Sequence, residues 1–297
     1  MTDIPTSYFS APAQELDPRL FTGRELKSQI RTGILSLLDG FLGKHYRHSD
    51  TWSHAWLAGS GVSYQWAADR QPGDLDCLVG VDFIQFRKAN PEYTGLSDRE
   101  IADQINEQFS EELQPDTENW NGFELTFFVN PSATDIRTIK PYAAYDLKYN
   151  EWTVSPNPAQ AAPTNPDWDS VANSDNKMAN QTYTRFGQAL TDLQNSRDAA
   201  THRNAEARLA AASQQGSALY SEIHGNRSIA FSPLGEGYQD FHNYRWQSGK
   251  RSGTIEILRK MKNYFADNNN SDIVNKYGVE LPDSNTLIRR AATYRNK

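Results

Sequence analysis

Residues 57–83 read LAGSGVSYQWAADRQPGDLDCLVGVDF, and the fold turns on how this stretch is parsed. Leu57-Ala58 closes an apolar run that ends in Gly59-Ser60-Gly61. After a polar connector, Gly73-Asp74-Leu75-Asp76 opens the run Cys77-Leu78-Val79-Gly80-Val81. Beta-branched and apolar residues bounded by Gly and Pro form buried strands. Residues two apart on a strand point to the same side, so Asp74 and Asp76 are neighbours on one face. Two carboxylates at the mouth of a buried strand are costly unless a cation neutralises them. Their spacing suits shared oxygen ligation of Mg²⁺. The plainer reading is an acidic turn ahead of a core strand, with Ser60 capping a strand-to-helix turn.

Gly59-Ser60 after an apolar strand, residues 61–73 as connector, then Asp74-Leu75-Asp76 between apolar residues resembles the signature of the polymerase β-type nucleotidyltransferase superfamily. The connector is at the long end of that family's range. The likeness covers roughly residues 50–130, and the chain is also similar to nucleotidyltransferase-like proteins of bacteriophages. The resemblance implies an α+β fold, a small mixed sheet backed by helices (the nucleotidyltransferase fold), followed by a helical domain. It implies Asp74 and Asp76 as catalytic metal ligands and a third carboxylate on a later, neighbouring strand. Glu124, the only charge in Gly122–Val129, fits that place; aspartate is the commoner residue there. Asp135 is the alternative, but Pro131 makes its neighbourhood a loop or an edge. The implied activity moves a nucleoside monophosphate from an NTP to an acceptor hydroxyl, using Mg²⁺ or Mn²⁺. A glycine at 59 would let the backbone approach phosphate oxygens, and Ser60 would donate to them. A helix over residues 61–68, in which Ser63–Ala68 holds no breaker, would aim its amino end at the same anion.

The charge balance bounds the partners. Residues 1–150 hold 22 Asp and Glu against 13 Lys and Arg, within a formal −7 for the chain. An acidic amino-terminal half excludes an extended duplex-DNA surface, though not a local phosphate pocket. The acceptor class stays open among RNA or a tRNA end, a nucleotide, a protein and a small molecule. The lone Cys77 faces away from the aspartates and reads as a small buried apolar residue. Neither a basic leader nor an apolar window of membrane-span length is present, and a cytoplasmic protein is the expectation.

Around the central stretch, residues 1–22 read as an extended arm. Leu26, Ile30, Ile34, Leu37, Leu38, Phe41 and Leu42 trace one helical face over residues 22–45. Strands are expected at Trp52–Ala58, Gly122–Val129 and Glu151–Val154. A helix over Leu96–Leu113 opens with a Ser97/Glu100 capping box. The catalytic domain is expected over residues 1–154. A proline-rich linker at 155–167 leads to a helical domain over 168–297, with helices at about 169–195, 203–223 (ended by Gly225), 253–266 and 283–295. Residues 226–253 read as a loop in which Arg227 and Lys250 meet phosphate while Tyr244 or Trp246 stacks on a base; packing of those aromatics is the competing account.

Two other classes share these residues. A metal-dependent phosphodiesterase or nuclease would use the same acids with water as acceptor, but Thr126 sits where the Glu-x-Lys nuclease strand carries lysine. A catalytically silent nucleotide-binding or interaction module would keep the fold alone.

Overall fold

The structure, a computed structural model, describes residues 7–277, with side chains to residue 266. The chain divides into two compact units. Among the described residues, one takes Ser7–Ala161 together with Phe231–Tyr238; the other takes Ala162–Ala230 and residues 239–277.

In the first unit a small hairpin, β1 (Phe21–Thr22) and β2 (Glu25–Leu26), replaces the end of the expected arm. Helix α1 (Ser28–His45) then buries Ile30, Ile34, Leu38, Phe41 and Leu42, the face that the periodicity marks. A single turn, α2 (Ser49–Trp52), feeds β3 (Ser53–Ala58), and β4 (Gly73–Val81) follows the connector. Helix α3 (Phe83–Ala89) is capped by the Asp82 carboxylate, which accepts from the Ile84 and Gln85 N–H groups. Helix α4 (Asp98–Gln108) carries the reciprocal Ser97/Glu100 capping box, and one wide turn, Phe109–Leu113, leads to α5 (Gln114–Thr117). Strands β5 (Phe123–Phe128), β6 (Ala144–Asp146) and β7 (Glu151–Val154) complete a mixed sheet of order β5-β4-β3-β6-β7. β4 and β5 run parallel, and the crossover between them is the helical stretch α3–α5.

The pleat sorts this sheet into two unlike faces. On one, Ala55, Leu57, Leu75, Cys77, Val79, Leu125 and Phe127 join the apolar sides of α1, α3 and α4 in the main core. On the other, Trp56, Leu78 and Ala144 are covered by Ala133, Ile136 and Ile139, with Phe128, Val154 and Phe231 against them. That second cover ends near Leu78. Toward the start of β4 and β5 the same face carries Asp74, Asp76, Glu124 and Thr126, all partly exposed.

The second unit packs α6 (Pro166–Gln194), α7 (Ala199–Ala230), α8 (Phe241–Arg251) and α9 (Thr254–Tyr277). The expected helix at 283–295 lies outside the described residues. Two expectations need correction here. Gly225 does not end α7, because the row Leu219, Tyr220, Ile223 continues to buried Ala230 and Gly225 simply faces solvent. Residues 226–253 are not a loop: most of them form the end of α7 and all of α8. Aromatics at positions 244 and 246 pack inward, and Asp240 caps α8 through the His242 N–H. Among the described residues no helix is long and apolar enough to cross a membrane.

Phe231–Tyr238 belongs to the first unit through specific contacts. Tyr8 donates from Oη to the Tyr238 carbonyl at 3.0 Å, and Tyr142 meets the Tyr238 ring edge-on at 4.5 Å. Lys140 pairs with Glu236 at 2.9 Å. Gly237 has φ +59°, and a Cβ there would fall 1.9 Å from the Lys140 carbonyl oxygen. Gly237→Ala should therefore cost at least about 1–2 kcal/mol from backbone strain alone. A fall in melting temperature of several degrees checks it; an unchanged melt would mean that the segment does not support the unit.

Candidate functional site

Three short segments converge at the open end of the sheet. Parallel pairing sets Asp74 directly beside Glu124 and Asp76 beside Thr126. Antiparallel pairing sets Asp76 beside Ala58, the last residue of β3. Asp74, Asp76 and Glu124 thus share one polar surface, because directly paired residues point to the same side.

The chain leaving β3 turns hard against this surface. Gly59 has φ +85°, and a Cβ on it would come within 2.8 Å of Asp76 Oδ2. At Gly61 a Cβ would fall 2.4 Å from the Asp74 carbonyl oxygen. Both positions need glycine for close approach, and Gly59 also for its conformation. The partner they admit in this structure is β4 itself. Ser60 begins one 3₁₀ turn, Ser60–Val62, with Gly59 in the capping position. The expected helix at 61–68 is absent. The Ser63 side chain donates to the Ser60 carbonyl and accepts from the Gln65 N–H, each at 3.0 Å, which commits the backbone to a turn instead. Tyr64 and Trp66 are then tied to the amino-terminal arm, through Ala13 N–H to the Tyr64 carbonyl at 2.7 Å and Trp66 Nε1 to the Glu15 carbonyl at 2.9 Å. A turn this short offers no helix-dipole site for an anion.

Arg70 is the residue that sequence reasoning missed. Its guanidinium reaches Asp74 Oδ2 at 2.7 Å and Glu124 Oε2 at 3.3 Å, bridging two of the three acids. The signal was available: a lone cation four residues before Asp74, held next to the strand by Pro72-Gly73. The all-oxygen donor set of Asp74, Asp76 and Glu124 suits a hard divalent cation by type and by register. As the side chains stand, however, Arg70 meets two of them, and among the described residues no three His, Cys, Asp or Glu groups are gathered to hold a metal ion.

The remaining expected residues fall elsewhere. Asp135 caps the 3₁₀ turn Ile136–Ile139 and pairs with Arg137 at 2.7 Å, which holds its carboxyl below the usual range. Its neighbour Thr134 donates to the Val81 carbonyl, at the opposite end of β4 from Asp74. Seven residues of strand separate those ends, roughly 23 Å, so Asp135 cannot join this set. Asp146 is structural: its Oδ2 meets His54 Nε2 at 2.6 Å while Oδ1 accepts the Lys148 and Tyr149 N–H groups. Cys77 is fully buried, and burial, with the Asp76 charge adding to it, pushes its thiol far above the ordinary value.

Arg227 and Lys250 belong to the helical unit. Arg227 lies over the Trp246 ring at 5.5 Å, and Trp246 is 5% exposed within that unit's core. Tyr244 is buried too and donates to Asp169. Neither ring is open to a base, which corrects their expected role as a stacking face. Between them Arg245 forms a buried bidentate pair with Asp175 at 2.6 and 2.9 Å and reaches Glu222 at 2.7 Å.

Compared with protein-family models, with curated proteins and with solved structures, the chain matches none.

The Arg70 bridges are solvent-exposed, so each should contribute only about 0–1 kcal/mol. Arg70→Ala is expected to lower the denaturation midpoint slightly and leave the far-UV spectrum unchanged. A loss beyond about 2 kcal/mol would mark Arg70 as a structural element of the sheet rather than a mobile counter-charge.

Proposed function

We propose that this protein is a metal-dependent nucleotidyltransferase, with Asp74, Asp76 and Glu124 as its catalytic carboxylates. The observation that carries the reading is the register of β4 and β5, which sets Glu124 beside Asp74 and Asp76 one pleat further on. It is supported by the Gly59 turn against Asp76, a Gly-Ser and Asp-x-Asp pair brought together in space. Bound to these oxygens, Mg²⁺ or Mn²⁺ would stabilise the attacking and leaving oxygens of an in-line displacement at phosphorus. Arg70 would swing off Asp74 and Glu124 to leave their lone pairs for the ion, a small loss for an exposed pair. Released, its guanidinium is placed as a charge-assisted donor to the nucleotide's phosphates. Ser60, half-buried beside Gly59, is the other donor at this end. The substrate on this reading is an NTP, and the acceptor a hydroxyl of RNA, a nucleotide or a protein.

One observation favours a second reading. Because Arg70 already pairs with Asp74 and Glu124, and both are partly exposed, the acids carry no large penalty without a metal. A silent nucleotide-binding or interaction module is therefore physically self-consistent. Incubation with each labelled NTP and Mg²⁺ or Mn²⁺, with and without RNA, separates the classes. Label transferred to an acceptor supports the proposal; degraded RNA points to a nuclease; no product with retained nucleotide binding points to the silent module.

Two variant series follow. Asp74→Ala, Asp76→Ala and Glu124→Ala should each abolish label transfer without lowering the melting temperature, and wild-type turnover in Asp76→Ala would sink the assignment. Gly59→Val should lose turnover as well as nucleotide affinity, because its side chain would collide with the Asp76 carboxylate. Ser60→Ala should be milder, near the roughly 0.5–1.5 kcal/mol of one hydrogen bond, or up to about 3 if it meets a charged phosphate. Equilibrium binding beside initial rates resolves the two, and unchanged values in both would reduce the loop to a turn.

A further inference from the structure

Two arginines stand near the start of β4 and β5, and they are held in different ways. Arg19 donates from Nε and Nη2 to the Asp17 carboxylate at 2.6–3.0 Å, and Asp17 is 1% exposed. Its guanidinium also lies 4.4 Å from the ring of Phe123, a residue of the main core. Arg19 is a fixture of the fold. Arg70 is not. It comes from residues 68–71, all exposed, and keeps 42% of its side chain in solvent. It spends one nitrogen on each acid, Nη1 on Asp74 and Nη2 on Glu124. The chain on either side is pinned, by Trp66 to the Glu15 carbonyl and by the Gly73 N–H to the Gly122 carbonyl, each at 2.9 Å. Rotation of the side chain alone therefore takes the guanidinium off the acids while the backbone stays in place. Among the described residues no other Lys, Arg or His pairs with Asp74 or Glu124.

The acids at this end of the sheet thus already hold a cation, supplied by the chain itself. A divalent ion and the guanidinium compete for the same carboxylate oxygens, and at such range each repels the other. A free ion must break both Arg70 contacts and send the guanidinium into water. A nucleotide changes that balance, because its phosphate oxygens give the planar fork of an arginine new charge-assisted bonds. The two ligands therefore act on Arg70 in opposite senses: the ion loses affinity by its presence, and the phosphates gain by it.

Resting on the reading of Asp74, Asp76 and Glu124 as metal ligands, we propose that Arg70 regulates that site by excluding free divalent ions. It competes with them for Asp74 and Glu124, and the phosphates of the nucleotide draw it off. The site then admits the metal–nucleotide complex in preference to the ion alone.

The test measures two affinities of the full chain, each in the absence of the other ligand. Mn²⁺ is titrated into nucleotide-free protein and followed by electron paramagnetic resonance; a fluorescent NTP is titrated in excess EDTA and followed by anisotropy. Arg70→Gln should bind Mn²⁺ about tenfold more tightly than wild type, through loss of two exposed ion pairs and of a like charge. The same variant should bind the metal-free nucleotide about tenfold more weakly, the effect of one charge-assisted hydrogen bond. A merely structural role would weaken both. Arg70→Lys, with a single charged nitrogen in place of the fork, should lie between in each titration, and it carries the comparison if Arg70→Gln melts early. Arg99→Gln, on α4 and paired with Asp103 at 3.9 Å, should match wild type. Glu124→Gln added to Arg70→Gln should remove the gain in Mn²⁺ affinity. Equal Mn²⁺ affinities in wild type and Arg70→Gln, both lost on Glu124→Gln, overturn the exclusion by Arg70 and leave the carboxylate reading standing. No Mn²⁺ binding by either protein, or binding indifferent to Glu124→Gln, overturns both. Unchanged metal-free nucleotide binding in Arg70→Gln overturns the part assigned to the phosphates.

Discussion

The alternation of side chains along β4 is the constraint that the rest of the first unit obeys. Leu75, Cys77 and Val79 enter the main core, so Asp74, Asp76 and Leu78 must face the other way. A slip of one residue would drive both aspartates into apolar surroundings and expose the core residues, which ties the register tightly to burial. The same constraint passes sideways through the ladder. Ala58 beside Asp76, and Glu124 beside Asp74, inherit their directions from it. An apolar cover over half of the second face then determines which polar groups are left in contact with solvent.

Charge at this end of the sheet is partly offset within the chain. Arg70 sits where an external cation would otherwise be needed, and it does so through exposed contacts rather than a buried bidentate pair. Arg245 in the helical unit is the opposite case, with 9% of its side chain exposed between Asp175 and Glu222. Removing one partner from such a buried set typically costs about 3–5 kcal/mol, against about 0–1 for an exposed pair. The first is built to stay closed, whereas the second can be exchanged for another ligand at little loss.

Elements whose own residues carry the signal were legible. The i, i+4 row in α1, the Ser97/Glu100 box and the alternating run of β5 are local patterns, and each forms where its pattern lies. The adjacency of Asp74 and Glu124 was legible only by resemblance, since strand pairing is a long-range matter that no local period encodes. What failed had local signals that pointed the wrong way. Ser63–Ala68 lacks a helix breaker, yet the Ser63 hydroxyl and the anchoring of Tyr64 and Trp66 favour a turn. Glycines at 225, 235, 237, 249 and 253 made 226–253 look like a loop, although Gly249 faces Ile255 inside a helix and Gly225 merely faces water. Arg70 escaped notice because pairing a base with two acids fifty residues apart in sequence requires the sheet first.

The return of Phe231–Tyr238 to the first unit has a consequence for how the protein is made. Residues up to Ala161 leave the ribosome with part of the unit's own apolar cover still unsynthesised, namely Phe231 and the Tyr238 ring against Tyr8 and Tyr142. At about 5–20 residues per second, the missing strip emerges roughly 4–15 s later. The helical unit's α6 and α7 are synthesised within that interval, before the strip itself, so the two units cannot mature strictly one after the other. A fragment cut at the proline-rich linker would begin and end as that nascent intermediate does, with an open seam where the later segment belongs.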